Sequence, residues 1–338
     1  MKNFLAYLDQ NVLDQMIKGD WNKIRTTLSR PNIVPVYSYE TLEEIRRSGS
    51  GADDFIELLK DIEARLIVVD KDGLEPKDSA QLYATNPEEE YSNYLRKRDP
   101  IPEFGYGLMG LLRKFFDGHS GRGQDQNLSF FEIFEAGSKE FEALLDDAIA
   151  GIDEVEELDL NQKELIKKQL SKLPNLLNES WKGVSTSLDS LDEPMVNSVR
   201  SMKGMDYNSL QTVQYPNVVE KILQIYESNL ENTDGYDRDA IIGLKFRDYE
   251  NKDRDKTTQE KIEALYFFIN MLGYNHDKEL HKKKKFTASF SDKSHAGIAA
   301  FCDLLFTGDK GLFIKANAVY EYLNVSTAII YCNPQKPE

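Results

Sequence analysis

Short apolar runs alternate with amphipathic segments at the N-terminal end of the chain. Residues 4–9 (FLAYLD), 33–37 (IVPVY) and 65–69 (RLIVV) are β-rich runs. The segments between them, such as residues 53–64 (DDFIELLKDIEA), carry apolar positions at three- and four-residue spacing, which is typical of helices. Short strands that alternate with helices predict a parallel α/β sheet.

The C-terminal end returns to the same pattern. An Ala-rich segment at residues 294–301 predicts a helix, and the apolar run Leu304–Thr307 predicts a strand. A second helix is expected at residues 310–323 and a last strand at Thr327–Tyr331.

The middle of the chain lacks this alternation. Long charged stretches with helical spacing, interrupted by Pro and Gly, run through residues 76–283 and predict a mostly α-helical insertion. We therefore expect one α/β domain, a parallel-sheet sandwich assembled from residues 1–75 and 284–338 and interrupted by that insertion.

Four carboxylates flank the predicted strands. Asp9 ends the first strand, and Glu44 lies one to two turns into the helix after the second. Asp303 stands just before the strand at residues 304–307 and Asp309 just after it. If these strands are neighbours, the acids converge on one edge of the sheet. Grouped carboxylates need a cation, and oxygen donors in a chain with only four histidines favour Mg²⁺ or Mn²⁺ over Zn²⁺. Such a site supports phosphodiester hydrolysis.

The charge of the chain restricts how it meets nucleic acid. It carries 42 basic and 58 acidic side chains, a net charge of −16, which argues against broad nonspecific coating of nucleic acid. Contacts to phosphate then have to be local. Arg46, Arg47 and the run Lys282–Lys285, with Lys283 and Lys284 at its centre, are the candidates, and a solvated loop is the alternative for the lysines.

The remaining composition bounds the environment. No apolar run approaches the ~20 residues that a membrane span needs, and a charge interrupts the N-terminus before a signal-peptide core can form. Two cysteines among 338 residues are too few for a disulfide framework. We expect a cytoplasmic protein without a membrane partner.

Three segments of the chain carry a family resemblance. The segments YLDQNVL (7–13), SYETLEEI (38–45) and HAGIAAFCDLLFTGDKGL (295–312) resemble the three motif regions of PIN-domain nucleases. The resemblance implies a compact α/β sandwich with a parallel sheet and a cluster of three or four acids. It also implies Mg²⁺- or Mn²⁺-dependent cutting of RNA, usually single-stranded.

The first two motifs match residue by residue. Asp9 fits the aspartate that ends the first strand of the family, and Asn11 fits the small polar residue that follows it. The family's glutamate follows a Thr by three positions, which Glu44 does, with Glu43 as the neighbouring candidate.

The last motif matches in part. Thr307 and Asp309 reproduce the family's T-x-D turn, in which the hydroxyl orients the last acid. An aspartate commonly precedes the family's Ala-rich helix, but here His295 holds that place. Asp292 or Asp303 can replace the missing ligand, or His295 itself can bind the metal or a phosphate.

These expectations lead to a metal-dependent endoribonuclease. Its one or two Mg²⁺ or Mn²⁺ ions would be held by Asp9, Glu44, Asp303 and Asp309. The insertion would restrict which RNA enters or bind a protein regulator, and a toxin or antiviral defence effector is the natural extension. A DNA or flap-type nuclease and a catalytically inactive PIN-like binding module are the alternatives. In the latter, the acids would be vestigial and the acidic helical insertion would be the working part. For Asp9 and Asp309 taken singly, capping of the helix that follows is the structural alternative.

Overall fold

The chain divides into two compact units, which are described separately. Unit 1 comprises Met1–Lys97, Lys203–Asp277 and Thr287–Glu338, and unit 2 comprises Arg98–Met202 and Lys278–Phe286. The structure is a computed structural model that describes residues 3–19, 22–72, 75–97, 129–154, 159–176, 178–179, 182, 210, 213–228, 237–247, 253–277 and 283–332.

A six-stranded, mostly parallel sheet forms the centre of unit 1. The described strands are β1 (Phe4–Leu8), β2 (Ile33–Tyr37), β3 (Arg65–Asp72), β4 (Glu75–Tyr83), β5 (Lys245–Arg247), β6 (Asp253–Asp255), β7 (Leu304–Thr307) and β8 (Ala328–Tyr331). The sheet has the order β4-β3-β2-β1-β7-β8, and β5 and β6 pair separately. Only β4 runs antiparallel to its neighbour within the six strands. The chain is therefore an α/β protein, as its pattern predicts.

Helices of unit 1 cover both faces of this sheet, whereas the helices at residues 130–151 and 160–170 belong to unit 2. The α-helices with both ends in the described residues are α1 (Gln10–Ile17), α2 (Asn22–Leu28), α3 (Tyr39–Arg47), α4 (Ala52–Asp61), α5 (Pro87–Lys97), α6 (Phe130–Gly151), α7 (Leu160–Leu170), α8 (Val218–Ser228), α9 (Arg238–Ile241), α10 (Thr258–Leu272), α11 (Lys283–Ala299) and α12 (Lys310–Leu323). No helix in the described ranges is long and apolar enough to cross a membrane.

The alternation of side chains along β1 separates two cores. Ala6 and Leu8 point to one face, where they pack with residues of α1, α3 and α4. Tyr7 points to the opposite face and packs with Ala299 at the end of α11. A third core joins α8, α10 and α12. The sheet is thus buried on both sides, as a parallel sheet requires.

The order of the strands creates a switch point beside β1. The chain runs outward from β1 through β2 to β3, and it returns after residue 277 to place β7 and β8 on the other side of β1. Ligands of open α/β sheets bind outside the carboxyl ends of the strands at such a point. The register pairs Leu8 with Phe306, and the Asp9 N–H donates to the Phe306 carbonyl over 3.0 Å. Asp9 and Thr307 therefore emerge side by side.

Part of the predicted insertion lies in unit 1. The boundary expected at residue 75 falls inside β4, which pairs with β3 through residues such as Leu82 opposite Ile67. Residues 203–277, also expected in the insertion, belong to unit 1 because α8 and α10 share a core with α12. The described part of unit 2 is helical. Its α6 and α7 begin with capping boxes at Ser129 and Asp159.

Candidate metal centre

Asp9 follows β1 directly and is held by two side chains. Its Oδ2 accepts a hydrogen bond from the Thr307 hydroxyl at 2.8 Å and another from the Asn11 amide at 3.2 Å. Asp9 occupies the N-cap position of α1, but its side chain makes no capping hydrogen bond. The carboxylate is therefore buried and oriented without serving the helix that it precedes.

The N-terminus of α3 places Glu44. Ser38 and Thr41 form a reciprocal capping box in which each side chain accepts from the other residue's backbone N–H. Leu42 and Ile45 bury the inner face of the helix against the sheet. Glu44 lies one turn after Thr41, so its carboxylate reaches the edge of the sheet where Asp9 emerges.

His295 completes the cluster from α11. Its Nε2 lies 2.9 Å from the Glu44 Oε2, and its Nδ1 lies 2.7 Å from the Tyr7 hydroxyl. The Tyr7 hydroxyl in turn lies 2.7 Å from the Ser38 Oγ. His295 is fully buried, so both ring nitrogens depend on these protein partners.

Asp9, Glu44 and His295 together could hold a metal ion. Each offers one ligand atom, and these atoms lie within 4.8 Å of one another. The donor set, two carboxylates and one imidazole, fits a divalent cation. The hydrogen bonds from Thr307 to Asp9 and between Tyr7 and His295 are of the kind that orients metal ligands.

The charges of the three residues are coupled. Burial alone would lower the pKa of His295, but Tyr7, Glu44 and Asp9 hold it well above its ordinary value. Burial would raise the pKa of Glu44, yet the charge and hydrogen bond of His295, helped by Arg47, lower it. Without a metal, the pair is therefore an imidazolium beside a carboxylate. Burial and the charge of Glu44 raise the pKa of Asp9.

Two further acids from the sequence analysis lie near Asp9. Asp309 caps α12, where its Oδ1 accepts from the Leu312 N–H at 2.8 Å, and its own N–H donates to the Thr307 Oγ1 at 3.0 Å. Asp292 lies on α11, one turn before His295. Burial raises the pKa of Asp292 well above its ordinary value, and the charges of Asp309 and Asp9 add to the rise. Both carboxylates thus share an electrostatic environment with Asp9.

The structure does not bring Asp303 to this cluster. Asp303 precedes β7, so it lies at the amino edge of the parallel pair β1 and β7, while Asp9 follows β1 at the carboxyl edge. The Asp303 Oδ2 accepts from the Leu5 N–H at 2.9 Å. Leu5 lies four residues before Asp9, which is about 13 Å along a strand. The expectation that Asp303 is a metal ligand is therefore wrong, because its side chain binds the backbone near the start of β1, at the opposite edge of the sheet.

Glu43 also lies outside the cluster. Its carboxylate pairs with Arg46 through two hydrogen bonds of 2.9 Å and accepts from the Tyr94 hydroxyl at 2.7 Å. Of the two arginines proposed to touch phosphate, Arg47 lies beside the site, with its Nη2 3.7 Å from the Glu44 Oε1.

The lysines that the sequence singles out lie in or just before α11. Lys284 is exposed in the first turn of α11, the same helix that carries His295. Lys282 and the side chain of Lys283 lie outside the described residues.

Sequence reasoning missed Tyr7, which contacts His295, and the buried ion pair in which the Lys315 Nζ lies 2.7 Å from the Asp277 Oδ1. Period-two alternation along β1 places Tyr7 on the face opposite Leu8, but nothing in the pattern shows that a histidine would meet it. Lys315 stands in the apolar stripe of α12, which is an unusual place for a lysine and is the signal that could have found it. Asp277 lies in an irregular segment after α10 and carries no such signal.

The fold and the cluster define an α/β protein with a buried candidate metal centre at the switch point of its sheet. Comparisons of the chain with family models, with curated proteins and with solved structures give no match. The resemblance to PIN-domain nucleases therefore rests on the motif residues of the chain itself.

Proposed function

We propose that this chain is a metal-dependent nuclease of the PIN type that hydrolyses RNA. The observation that carries the proposal is the buried cluster of Asp9, Glu44 and His295 at the carboxyl edge of the sheet. Two of these residues match the family motifs, and the third occupies the motif position at which the family commonly has an aspartate. The cluster lies at the carboxyl edge of the sheet, which is the edge at which open α/β folds bind their ligands.

The donor set favours Mn²⁺ over Mg²⁺. Carboxylates suit both ions, but an imidazole ligand is better tolerated by Mn²⁺, which is the softer of the two. A divalent ion bound there supplies a water of lowered pKa and neutralises charge on the phosphate. Asp9, Glu44 and His295 would hold the ion, and Thr307, Asn11 and Tyr7 keep those ligands in place.

Arg47 is the proposed phosphate contact. Its side chain is 27% exposed at the rim of the cluster and contacts Glu40, Glu44 and Ser291. A guanidinium with part of its surface open to solvent can bind a phosphate oxygen while it remains anchored to these residues. The position beside Glu44 would place the scissile phosphate next to the metal ligands.

Exposed tyrosines beside α3 support a single-stranded substrate. Tyr39 and Tyr83 are 41% and 42% exposed, and Tyr39 stacks on Tyr94 with ring centroids 6.1 Å apart. Tyr39 is the first residue of the helix that carries Glu44. Unpaired bases stack on such rings, whereas the bases of a duplex are already stacked on each other.

The test is cleavage of a mixed pool of RNA in the presence of Mn²⁺, Mg²⁺ or EDTA. We expect metal-dependent cutting that Asp9→Asn reduces more than about 100-fold, since loss of a ligand should exceed the effect of losing a residue that only orients one. Asp303→Asn is the matched control. It keeps the hydrogen bond from the Leu5 N–H and should cut like the native protein. Full activity of Asp9→Asn, or equal loss in Asp303→Asn, contradicts the proposed site.

Parallel assays separate the alternatives. Cutting of single-stranded or branched DNA in preference to RNA would identify a DNA or flap-type nuclease. Metal binding without cutting of either would favour the non-catalytic binding module. A role as a toxin or antiviral defence effector, with a protein regulator bound by unit 2, is part of the proposal. It predicts that expression of the native chain, but not of Asp9→Asn, arrests growth of a host.

A further inference from the structure

The two edges of the six-stranded sheet differ in their chemistry. At one edge, β4 reads EPKDSAQLY, and the Asp78 carboxylate accepts from the N–H and the hydroxyl of Thr258 at 2.9 and 3.0 Å. Proline, charged side chains and a neighbouring element bonded to an edge strand all oppose its pairing with another chain. At the other edge, β8 reads AIIY, so it carries neither a proline nor a charge.

The backbone of β8 turns two of its residues outward. Ala328 and Cys332 donate their N–H groups toward β7, to carbonyl oxygens 3.0 and 2.8 Å away. Successive residues of a strand direct their backbone groups to opposite sides, so Ile329 and Tyr331 point their N–H and C=O groups away from β7. Among the described residues, none forms a hydrogen bond with these outward groups. The edge of β8 is therefore open to a further strand.

The side chains of β8 are apolar and partly uncovered. Ile330 is 37% exposed, and Ala328, on the same face, is exposed as well. Ile329, on the opposite face, packs against the core that joins α8, α10 and α12. Residues 322–335 carry no Asp, Glu, Lys or Arg, although 30% of the whole chain is charged. A negatively charged molecule can approach this edge without like charges being set against each other.

We propose that β8 pairs with β8 of a second copy of this chain, in antiparallel orientation about a twofold axis at Ile330. This register sets Ile329 opposite Tyr331 of the second copy, and the outward N–H and C=O groups of both residues then bond across the axis. Ile330 meets its own copy on one face, and Ile329 lies beside Tyr331 on the other, which is a favourable aromatic and β-branched pair.

A second copy fits this edge because the strand is complementary to itself. In a twofold interface the same surface is used on both molecules, so every group has to find its partner in the same strand. Here the outward donors and acceptors match, the side chains are apolar, and no charge faces another. Two chains that each carry a net charge of −16 repel one another over most of their surface, which favours contact at an uncharged edge.

The two candidate metal centres would lie at opposite edges of the joined sheet. Asp9 lies at the carboxyl edge of the parallel strands β1 and β7, and β8 runs parallel to β7. In an antiparallel pairing the strands of the second copy run in the reverse direction, so its carboxyl edge lies on the other side. The pairing neither builds nor blocks either centre. It is therefore independent of the proposed function, and activity per chain should not change with it.

Sedimentation velocity tests the pairing. The contact through one strand is small, so we expect a weak dimer that forms between about 1 and 300 µM chain. KCl at about 0.15 M screens the repulsion between copies. Ile330→Lys sets two ammonium groups opposite each other at the axis and should remain monomeric. Tyr83→Lys is the matched control, because Tyr83 is the 42% exposed last residue of β4 and the variant should dimerise like the native chain.

Ile330→Cys tests the register without adding a charge. Opposed residues of a non-hydrogen-bonded antiparallel pair have Cα atoms about 4.5 Å apart, which is within the range of a disulfide. With oxidised glutathione as the oxidant, we expect this variant to form a disulfide-linked dimer. The native Cys332 would lie opposite Ala328 of the second copy, about 13 Å along the strands from the other Cys332, and should not cross-link.

The outcomes do not depend on metal binding or RNA cleavage. A native chain that stays monomeric up to about 300 µM, or a dimer that folded Ile330→Lys leaves intact, overturns the inference. A cross-link through Cys332 in the native chain contradicts the register. Circular dichroism checks the fold of each variant. If Ile330→Lys does not fold, Ile330→Cys still decides, because the absence of its cross-linked dimer contradicts the pairing of β8 with itself.

Discussion

The orientation of His295 depends on one tyrosine. In the imidazolium form both ring nitrogens donate, so Nε2 donates to Glu44 and Nδ1 donates to the Tyr7 oxygen. Tyr7 then donates its own hydrogen to the Ser38 Oγ. This chain connects the centre to the N-cap of α3. In the usual arrangement a carboxylate or a carbonyl accepts directly from the ligating histidine. Here the hydroxyl of Tyr7 lies between His295 and Ser38.

Replacement of Tyr7 by Phe tests this connection. The change leaves the His295 Nδ1 without its partner, and we expect the free energy of unfolding to fall by about 1–3 kcal/mol. Mn²⁺ affinity should fall by about 10- to 100-fold, as when a ligand loses the group that orients it. Tyr37→Phe, on the neighbouring strand, removes a 3.3 Å contact with Thr85 and should leave the affinity unchanged. Calorimetric titration measures the Mn²⁺ affinity of both variants, and urea unfolding measures their stability. Equal affinities of the two variants would contradict the role of Tyr7.

His295 should also make the stability of the metal-free protein depend on pH. Its pKa is held well above the ordinary value of about 6.5 that applies in the unfolded chain. The stabilisation from the His295–Glu44 pair is therefore fully present below pH about 6.5. It is lost as the pH rises through the folded pKa, with a slope of about 1.4 kcal/mol per pH unit.

Urea unfolding in EDTA between pH 6 and 8.5 measures this slope. The native protein should lose stability over the window, and His295→Gln should not, because its amide does not titrate. The difference between the two proteins removes the contributions of other groups. Parallel pH profiles of the two proteins would show that His295 is not the titrating group.

At the scale of secondary-structure elements, the start of α3 links stability to the site. Ser38 caps the helix that carries Glu44, and its Oγ also forms a hydrogen bond of 2.7 Å with the Tyr7 hydroxyl. We expect Ser38→Ala to lower the free energy of unfolding by about 1 kcal/mol through the lost cap, and to weaken Mn²⁺ binding by roughly tenfold.

A second capping box provides the control for this prediction. Thr257 caps α10 through the same reciprocal pattern with Glu260. Thr257→Ala should therefore cost a similar amount of stability, about 1 kcal/mol, without any change in metal affinity. Thermal unfolding and Mn²⁺ titration of both variants decide the matter. Weaker binding in both would mean that the affinity follows general stability and not the position of Glu44.

The elements that the sequence predicts well are those with contiguous apolar runs or strong helical period. The strand Leu304–Thr307 and the helix at residues 310–323 have the expected bounds, and β2 agrees as well. By contrast, β4 reads EPKDSAQLY, with charged and polar residues that an edge strand tolerates and a central strand does not. Because β4 is so polar, the sequence pattern assigns nearly all of it to the predicted insertion instead of the sheet.

The edge of the sheet at which a residue lies can be predicted when that residue stands directly before or after a parallel strand. Asp9 and Thr307 follow their strands and therefore lie at the carboxyl edge, whereas Asp303 precedes its strand and has to lie at the other edge. The choice between His295 and Asp292 needed the structure, because both lie on the same face of α11, one turn apart. Only the positions of Tyr7 and Glu44 select the histidine.

At the scale of the whole molecule, the negative charge determines how a polyanion approaches. The chain carries a net charge of −16, and the basic side chain seen to contact the cluster is Arg47, whose Nη2 lies 3.7 Å from the Glu44 Oε1. A protein that binds many phosphates through basic residues loses affinity steeply as salt is added. This chain should behave differently, since long-range repulsion opposes each encounter with RNA.

We therefore expect kcat/KM for RNA cleavage to rise, by roughly tenfold or less, as KCl increases from about 0.01 to 0.15 M at saturating Mn²⁺. Over that range the Debye length falls from about 30 to 8 Å, so the salt screens the repulsion before it weakens the close contact with Arg47. A short oligonucleotide with few phosphates is the control and should respond less. A steep fall in kcat/KM with salt would instead show that basic residues beyond Arg47 bind the substrate along several phosphates.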